Sequence, residues 1–486
     1  VDITYNNTRV LDIKLANTEL YDNNRTIRIS GNLNETISGT HEILVKNNST
    51  ETYDSNRTVT IGGNSTYLIT GSLDKTIHNN SNETFKSNRT MLVSGNLTET
   101  ISGLHAITIH QNRNITVNSD NTETIKGIRE IIVSGNKTEL ITGTSTLTIV
   151  GASTETFKNN RRITISGNLS ETITGNKTQI VTGHNYETVK GNKTVIITGN
   201  VDETIKANHS LNIDGHSTEV YRINRTLTTD GYLNETIGGG SSILIKGNHN
   251  EDCNGHRTIK ISGSLTETID GRHNITVMNI SNETYKGNRT ITVSGNLSET
   301  ISGSATITFL NNCNVIVSGD NTSTYKSNRT ITISGSLKET VTGARTLLVS
   351  GNNNEEYKAD RTIVISGDCT ETITGTRVFH VSGNNQETYL GSNTISIKQA
   401  LTETISGLSS TTISGTRTLI TEGHNTETYK ANRTITVGGY LKETITGDNT
   451  VIIKGSHDLT VDGVVKETYK SHRTISVSGN LKETIS

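Results

Sequence analysis

Proline is missing altogether from this 486-residue chain. Proline has no backbone N–H and interrupts a β-ladder, so its absence suits a chain in which nearly every N–H is needed for a rung. Tryptophan is also absent, aromatic residues are 4% of the sequence and hydrophobic residues 30%. That is too little apolar material for one large globular core, yet Thr, Ile and Val are abundant, the types that suit a pleated surface. No run of about 18 apolar residues occurs, so no membrane-spanning helix is expected. No signal peptide is evident, and the start at Val1 without Met reads as a processed product or a piece of something longer. A formal net charge of −2 provides no electrostatic attraction for nucleic acid or an anionic membrane. Three cysteines, Cys253, Cys313 and Cys369, are an odd number with no metal-ligand spacing, which argues against a disulfide framework.

What the chain does have is an unbroken period of eight. Asn288 to Gly303, NRTITVSG-NLSETISG, shows two units. The places are named a (residue number divisible by eight, as Asn288) to h (as Gly295). An unbroken period implies one quasi-linear object rather than the three domains that length alone suggests. Residues 1–23 are degenerate units, and 24–486 read as a continuous shaft.

Place h is Gly at 41 of 57 positions from Gly31 to Gly479; Asn47, Ser55, Asn79, Ser87, Ala207, Ala359, Ala431 and Ser471 are among the exceptions. Gly and Asn tolerate positive φ, so h and the Asn at a are predicted to form a corner, with b to g a short strand. Gly295, Gly303, Gly335 and Gly343 are typical corners. Place f is apolar at 59 of 61 positions, Thr229 and Thr421 excepted, and includes Tyr285, Val293, Ile301 and Ile333. Alternation along a strand puts b, d and f on one face and c, e and g on the other, toward water; the f side chains must face a core. Cys253 falls at f and reads as a small core residue.

Place d alternates between apolar residues and Glu, with Glu at 26 of 61 positions. Units with Ile at d often carry Arg at b (Arg25, Arg57, Arg289); units with Glu at d often carry Leu there (Leu33, Leu97, Leu297). Strands one layer apart lie ~4.8 Å from each other, so Glu on every layer would align like charges. The alternation predicts Glu(d)–Arg(b) ladder ion pairs between layers, exemplified by Glu283, Arg289 and Glu299. Whether they face inward, where pairing is obligatory, or outward, where it is worth little, stays open at this point. Units of the type ETYK recur every four or five octads and are usually followed by an NRTIT unit.

Two architectures fit an octad: one chain coiling with three strands per turn, or three parallel chains winding round one axis. In the first, similarity between octads three apart should dominate. Here spacings of four and five octads dominate, which favours three chains. The repeated G-N-x-x-x-x-V/I-x units, as in GNRTITVSGNLSETISG and GNKTELITGTSTLTIVG, resemble the triple-stranded β-helix of tailed-phage baseplate spikes and of VgrG spike proteins of type VI secretion. The resemblance covers essentially the whole chain. It implies an all-β, intertwined, parallel homotrimeric needle of about 61 octads, on the order of 300 Å long at ~5 Å per layer, whose monomer is not a stable folded species. It carries over no activity: no oligonucleotide-fold domain, lysozyme-like domain or tip extension is visible.

The expected function is therefore a structural fibre or needle, of a virus, a secretion device or an extracellular filament, with the chain itself as partner in a homotrimer or an end-to-end filament. Neither nucleic acid nor a membrane span is expected. An adhesin rod that binds a receptor or glycan is the alternative; an ice-binding solenoid is a remoter one, raised by Thr-x-Thr rows such as Thr290 with Thr292 and Thr330 with Thr332. Asn-x-Thr/Ser sequons at Asn56, Asn88, Asn288 and Asn328 mark sites for glycans on an extracellular or virion surface, although Asn at a and Thr at c follow from the octad anyway. No catalytic, cofactor-binding or metal-binding residues are expected: there is no nucleophile elbow, phosphate loop or HxH pair, and His41 or His105 at b could meet a metal only beside symmetry mates.

Overall fold

The structure, a computed structural model, describes residues 2–486. Its 61 strands run from β1 (Asp2–Tyr5) to β61 (Leu481–Ile485), one per octad, and no helix occurs among the described residues. The chain divides into two compact units, Val1–Lys246 and Gly247–Ser486.

In the first unit, β4 (Arg25–Ile29) pairs in parallel with β7 (Ser49–Tyr53), and that strand with β10 (Leu73–Ile77). The two strands between them join two further sheets by the same step, as β5 (Leu33–Ile37) to β8 (Arg57–Ile61) and β6 (His41–Val45) to β9 (Ser65–Ile69). Each pairing joins octads three apart, with Arg25 against Ser49 and Leu33 against Arg57, so three octads make one turn of a three-sided parallel β-helix. The second unit repeats the arrangement: β32 (His249–Cys253) with β35 (His273–Val277), β33 (Arg257–Ile261) with β36 (Ser281–Tyr285), and β34 (Leu265–Ile269) with β37 (Arg289–Val293). The all-β octad helix is what the repeat predicts. The ladder partners, expected on two other chains, lie in this chain.

The reason lies in the alternation at d. Three is an odd number, so Glu and apolar residues that alternate along the chain also alternate up each wall. Glu283 stands between Ile259 and Ile307, and Glu339 between Val315 and Ile363. A one-chain coil of this kind therefore requires complementarity, not identity, between octads three apart. The dominance of four- and five-octad spacings does not count against it.

Strands span b to f, as Arg289–Val293, one residue shorter than predicted. Place g is already in the bend, though its N–H still makes a rung: Ser294 donates to the Ile269 carbonyl at 2.9 Å. At the other end, the b N–H reaches the carbonyl of place a one turn on, as Arg289 to Asn312 at 3.0 Å.

Side chains at b, d and f fill the interior of each unit, short of the first and last turns of the chain. Val293 and Ile301 are fully buried, and Tyr285 and Ile333 are 1% exposed. Thr229 and Thr421 keep the core position and are equally buried. All three cysteines are buried thiols outside any disulfide; burial pushes the Cys313 thiol up to about 11 and the Cys369 thiol up to about 12.

The corners correct a second expectation. No described residue, glycine or other, has positive φ. Glycine is needed because successive corners stack backbone on backbone. A Cβ on Gly295 would lie 2.6 Å from the Gly271 carbonyl oxygen and 2.8 Å from its carbon, while the Gly295 N–H donates to that same oxygen at 3.0 Å. Gly303 meets Asn279 in the same way, and Gly343 meets Gly319; at Gly335 a Cβ would strike the Asn311 carbonyl carbon at 2.5 Å. In each recorded h-to-h rung the donor is glycine, even where the acceptor is Asn47, Ser119 or Ala207.

Candidate functional site: the ionic interior and the corner clamps

The Glu side chains at d face inward. Glu283 is 3% exposed, and two guanidiniums serve it. Arg257, on the preceding turn, donates from Nη1 to Glu283 Oε1. Arg289, on the strand that follows along the next wall, brings Nη2 to 3.9 Å of Oε2. These two relations recur. Arg129 takes Glu123 at 3.1 Å and also Glu155; Arg345 takes Glu339 at 3.3 Å and also Glu371; Lys193 lies 3.2 Å from Glu187 and 3.9 Å from Glu219. Arg129, Arg345 and Lys193 at b thus each tie one wall to the next and one turn to the turn above.

The ETYK…NR motif is explained by the same geometry. The Tyr at f donates to the Glu at d of its own strand: Tyr285 to Glu283 at 2.8 Å, Tyr357 to Glu355 at 2.7 Å, Tyr389 to Glu387 at 2.9 Å. The Arg at the following b caps the ring, with Arg289 5.3 Å from the Tyr285 centroid and Arg433 4.6 Å from that of Tyr429. Glu, Tyr and Arg at spacing E-x-Y-x-x-x-R therefore form one buried cluster.

Burial alone would raise the Glu283 carboxyl, but Arg257 first and then Arg289 outweigh it and hold the group at about 2. Glu299, grouped with these residues in the sequence, is served differently: Tyr325 donates to its Oε2 at 2.9 Å, and burial followed by the charge of Glu283 pushes it up. Where the alternation fails, carboxylates stack. Glu403 stands directly under Glu427, and burial together with that neighbour pushes it up to about 7. Two interior cavities lie within this ionic material. One of about 110 Å³ in the first unit is lined by Glu123, Arg129, Lys137 and Glu155 among others, and one of about 120 Å³ in the second by His273, Glu283, Arg289 and Tyr325 among others.

The Asn residues at place a are clamps. Their side-chain oxygens accept the backbone N–H of place a one turn later: Asn56 from Asn80 at 3.2 Å, Asn88 from Asn112 at 3.1 Å, Asn288 from Asn312 at 3.3 Å and Asn328 from Asn352 at 2.8 Å. His216, His256 and His424 do the same through Nδ1. The four sequon asparagines therefore each have a structural task, and Asn56, Asn288 and Asn328 are exposed while Asn88 is partly so. On the outer walls the Thr290/Thr292 pair lies under Asn314 and Ile316, so the Thr row is broken one turn up.

A family model described as the Gp5 C-terminal repeat matches in three copies, over residues 78–102 and 281–302. The chain thus carries repeats of the phage baseplate spike type, one stretch in each unit, and is similar to the triple-stranded β-helices built from them. No curated protein and no solved structure matches the chain significantly.

Proposed function

We propose that this protein is the structural shaft of a spike or needle on a virion or an extracellular injection device, three chains to a shaft, and not an enzyme. The observation that carries the reading is the Gp5 C-terminal repeat in both units, in register with every other octad of the chain. Physical support comes from how the interior is used. Ion pairs and apolar side chains occupy it, and the basic residues at b bind the walls together in two directions, which suits resistance to bending and shear. Glycans on Asn56, Asn88, Asn288 and Asn328 would belong to the outer corners of such a shaft.

Three measurements test this. Light scattering coupled to size-exclusion chromatography reads the assembly: three times the 52.6 kDa of the chain supports the trimer, and 52.6 kDa itself overturns it. Negative-stain images read the role: straight, narrow particles of uniform length support a shaft, and flexible or globular particles overturn it. Intact mass before and after glycosidase treatment reads the glycans.

A further inference from the structure

The geometry points to a buried transition-metal site formed by His249, Glu267 and His273 in the second unit, for a zinc-type dication bound through two imidazoles and one carboxylate. His249 at b of β32 and His273 at b of β35 are register partners on one wall, with ring centroids 4.8 Å apart. Glu267 at d of β34 lies on the neighbouring wall, on the strand just before that of His273, with Oε1 3.9 Å from His273 Nε2. One potential ligand atom from each of the three falls within 4.8 Å of the others, and all three residues are buried. Ligand atoms around tetrahedral zinc stand roughly 3.4 Å apart, given Zn–N of about 2.0–2.1 Å, so small side-chain adjustments close the set.

A second observation is independent of the clustering. His273 is 2% exposed, and neither of its ring nitrogens has a hydrogen-bond partner. A buried polar ring normally finds partners. The carboxylates near His273, Glu251, Glu267 and Glu283, outnumber the guanidiniums of Arg257 and Arg289 by one, so the charge balance favours an added cation. Imidazole with carboxylate is a donor set for zinc, nickel or copper rather than for calcium or magnesium.

The first unit supplies the contrast. Glu83, Glu99 and His105 form a group of the same compactness. There the Lys75 ammonium reaches Glu83 at 2.8 Å and Glu99 at 2.6 Å. A protein cation already occupies that position, so the proposed site is placed in the second unit.

Because the site is enclosed, loading must occur during folding. The test is to unfold the full-length, tag-free protein with chelator, refold it with zinc, dialyse it against a weak competing chelator and count retained metal. Wild type is expected to keep about one zinc per chain, His273→Asn to keep none, and His105→Asn to keep the wild-type amount. Failure of wild type to retain zinc, or equal retention by His273→Asn, overturns the proposal. X-ray absorption of zinc-loaded wild type supplies a reading that needs no variant: a first shell of two imidazoles with oxygen is expected, and a shell containing sulfur or lacking imidazole overturns it.

Discussion

Glu283 and Glu403 occupy the same place of the octad in the same unit, yet their acidities move in opposite directions. Glu283 stands between Ile259 and Ile307 on its wall and takes Arg257, Arg289 and the Tyr285 hydroxyl. Glu403 stands between Phe379 and Glu427, with Tyr429 donating to it at 3.2 Å. One is held at about 2, the other pushed to about 7. The difference teaches that a buried carboxylate stays charged where a basic residue at b closes an ion pair with it, as Arg433 does for Glu427 in that same stack, and is pushed toward the neutral form where, as at Glu403, a stacked carboxylate is its main charged neighbour.

The comparison is broken most strongly by removing the cation. Arg257 pairs with Glu251 as well as Glu283, so Arg257→Ala leaves both buried without their shared guanidinium, and a loss of about 3–5 kcal/mol is expected in denaturant unfolding. An unchanged midpoint would mean that the inner ion pairs do not hold the turns together. Next comes Glu403→Gln, expected to act in the opposite sense. A carboxyl raised on folding contributes stability below its unfolded pKa of about 4.3 and loses it as pH rises through about 7. The substitution should therefore add about 1–3 kcal/mol at pH 8 and leave pH 4 unchanged, read as melting temperature against pH. Glu283 has the reverse sign: its depressed carboxyl contributes above about 4.3, and that contribution disappears as pH falls through about 2. Loss of stability on acidification that persists in Glu403→Gln sharpens the contrast; a flat acid limb would sink it.

Smaller effects belong to the corners. Gly295→Ala places a Cβ against the Gly271 carbonyl and is expected to cost about 1–3 kcal/mol, with faster hydrogen exchange at that corner than at its neighbours. A neutral result would show that the corners can separate freely. Asn328→Ala removes the acceptor for the Asn352 N–H at an exposed corner and should cost about 0.5–1.5 kcal/mol. An effect as large as that of Gly295→Ala would place the corner's stability in the clamp rather than in close stacking.

Much of this was readable from the residue order. The inward f column, the shared b, d and f face and the need to pair Glu at d with Arg at b all follow from periods of eight and two; that the Glu side chains at d face inward came only from the structure. Other features were not, for identifiable reasons. Glycine at h suggested positive φ, because that is its usual use at a turn; here the demand is close approach between corners one full turn apart, which no local pattern records. Glu299 resembled Glu283 in its octad, but only the coil places Tyr325 rather than an arginine beside it. His249, Glu267 and His273 show no motif, since they sit on three separate strands that come together only after the chain has turned its corners.

The sequence alone determined that this chain forms strands of one length, one inward face and one corner type, because those properties depend on side-chain alternation and the octad spacing. The tertiary structure decided which strand lies on which. Alternation at d is satisfied by any odd step in octads, so the pattern does not distinguish one step from three. Only the winding itself sets Arg257 beneath Glu283, Glu403 beneath Glu427, and His249 beneath His273.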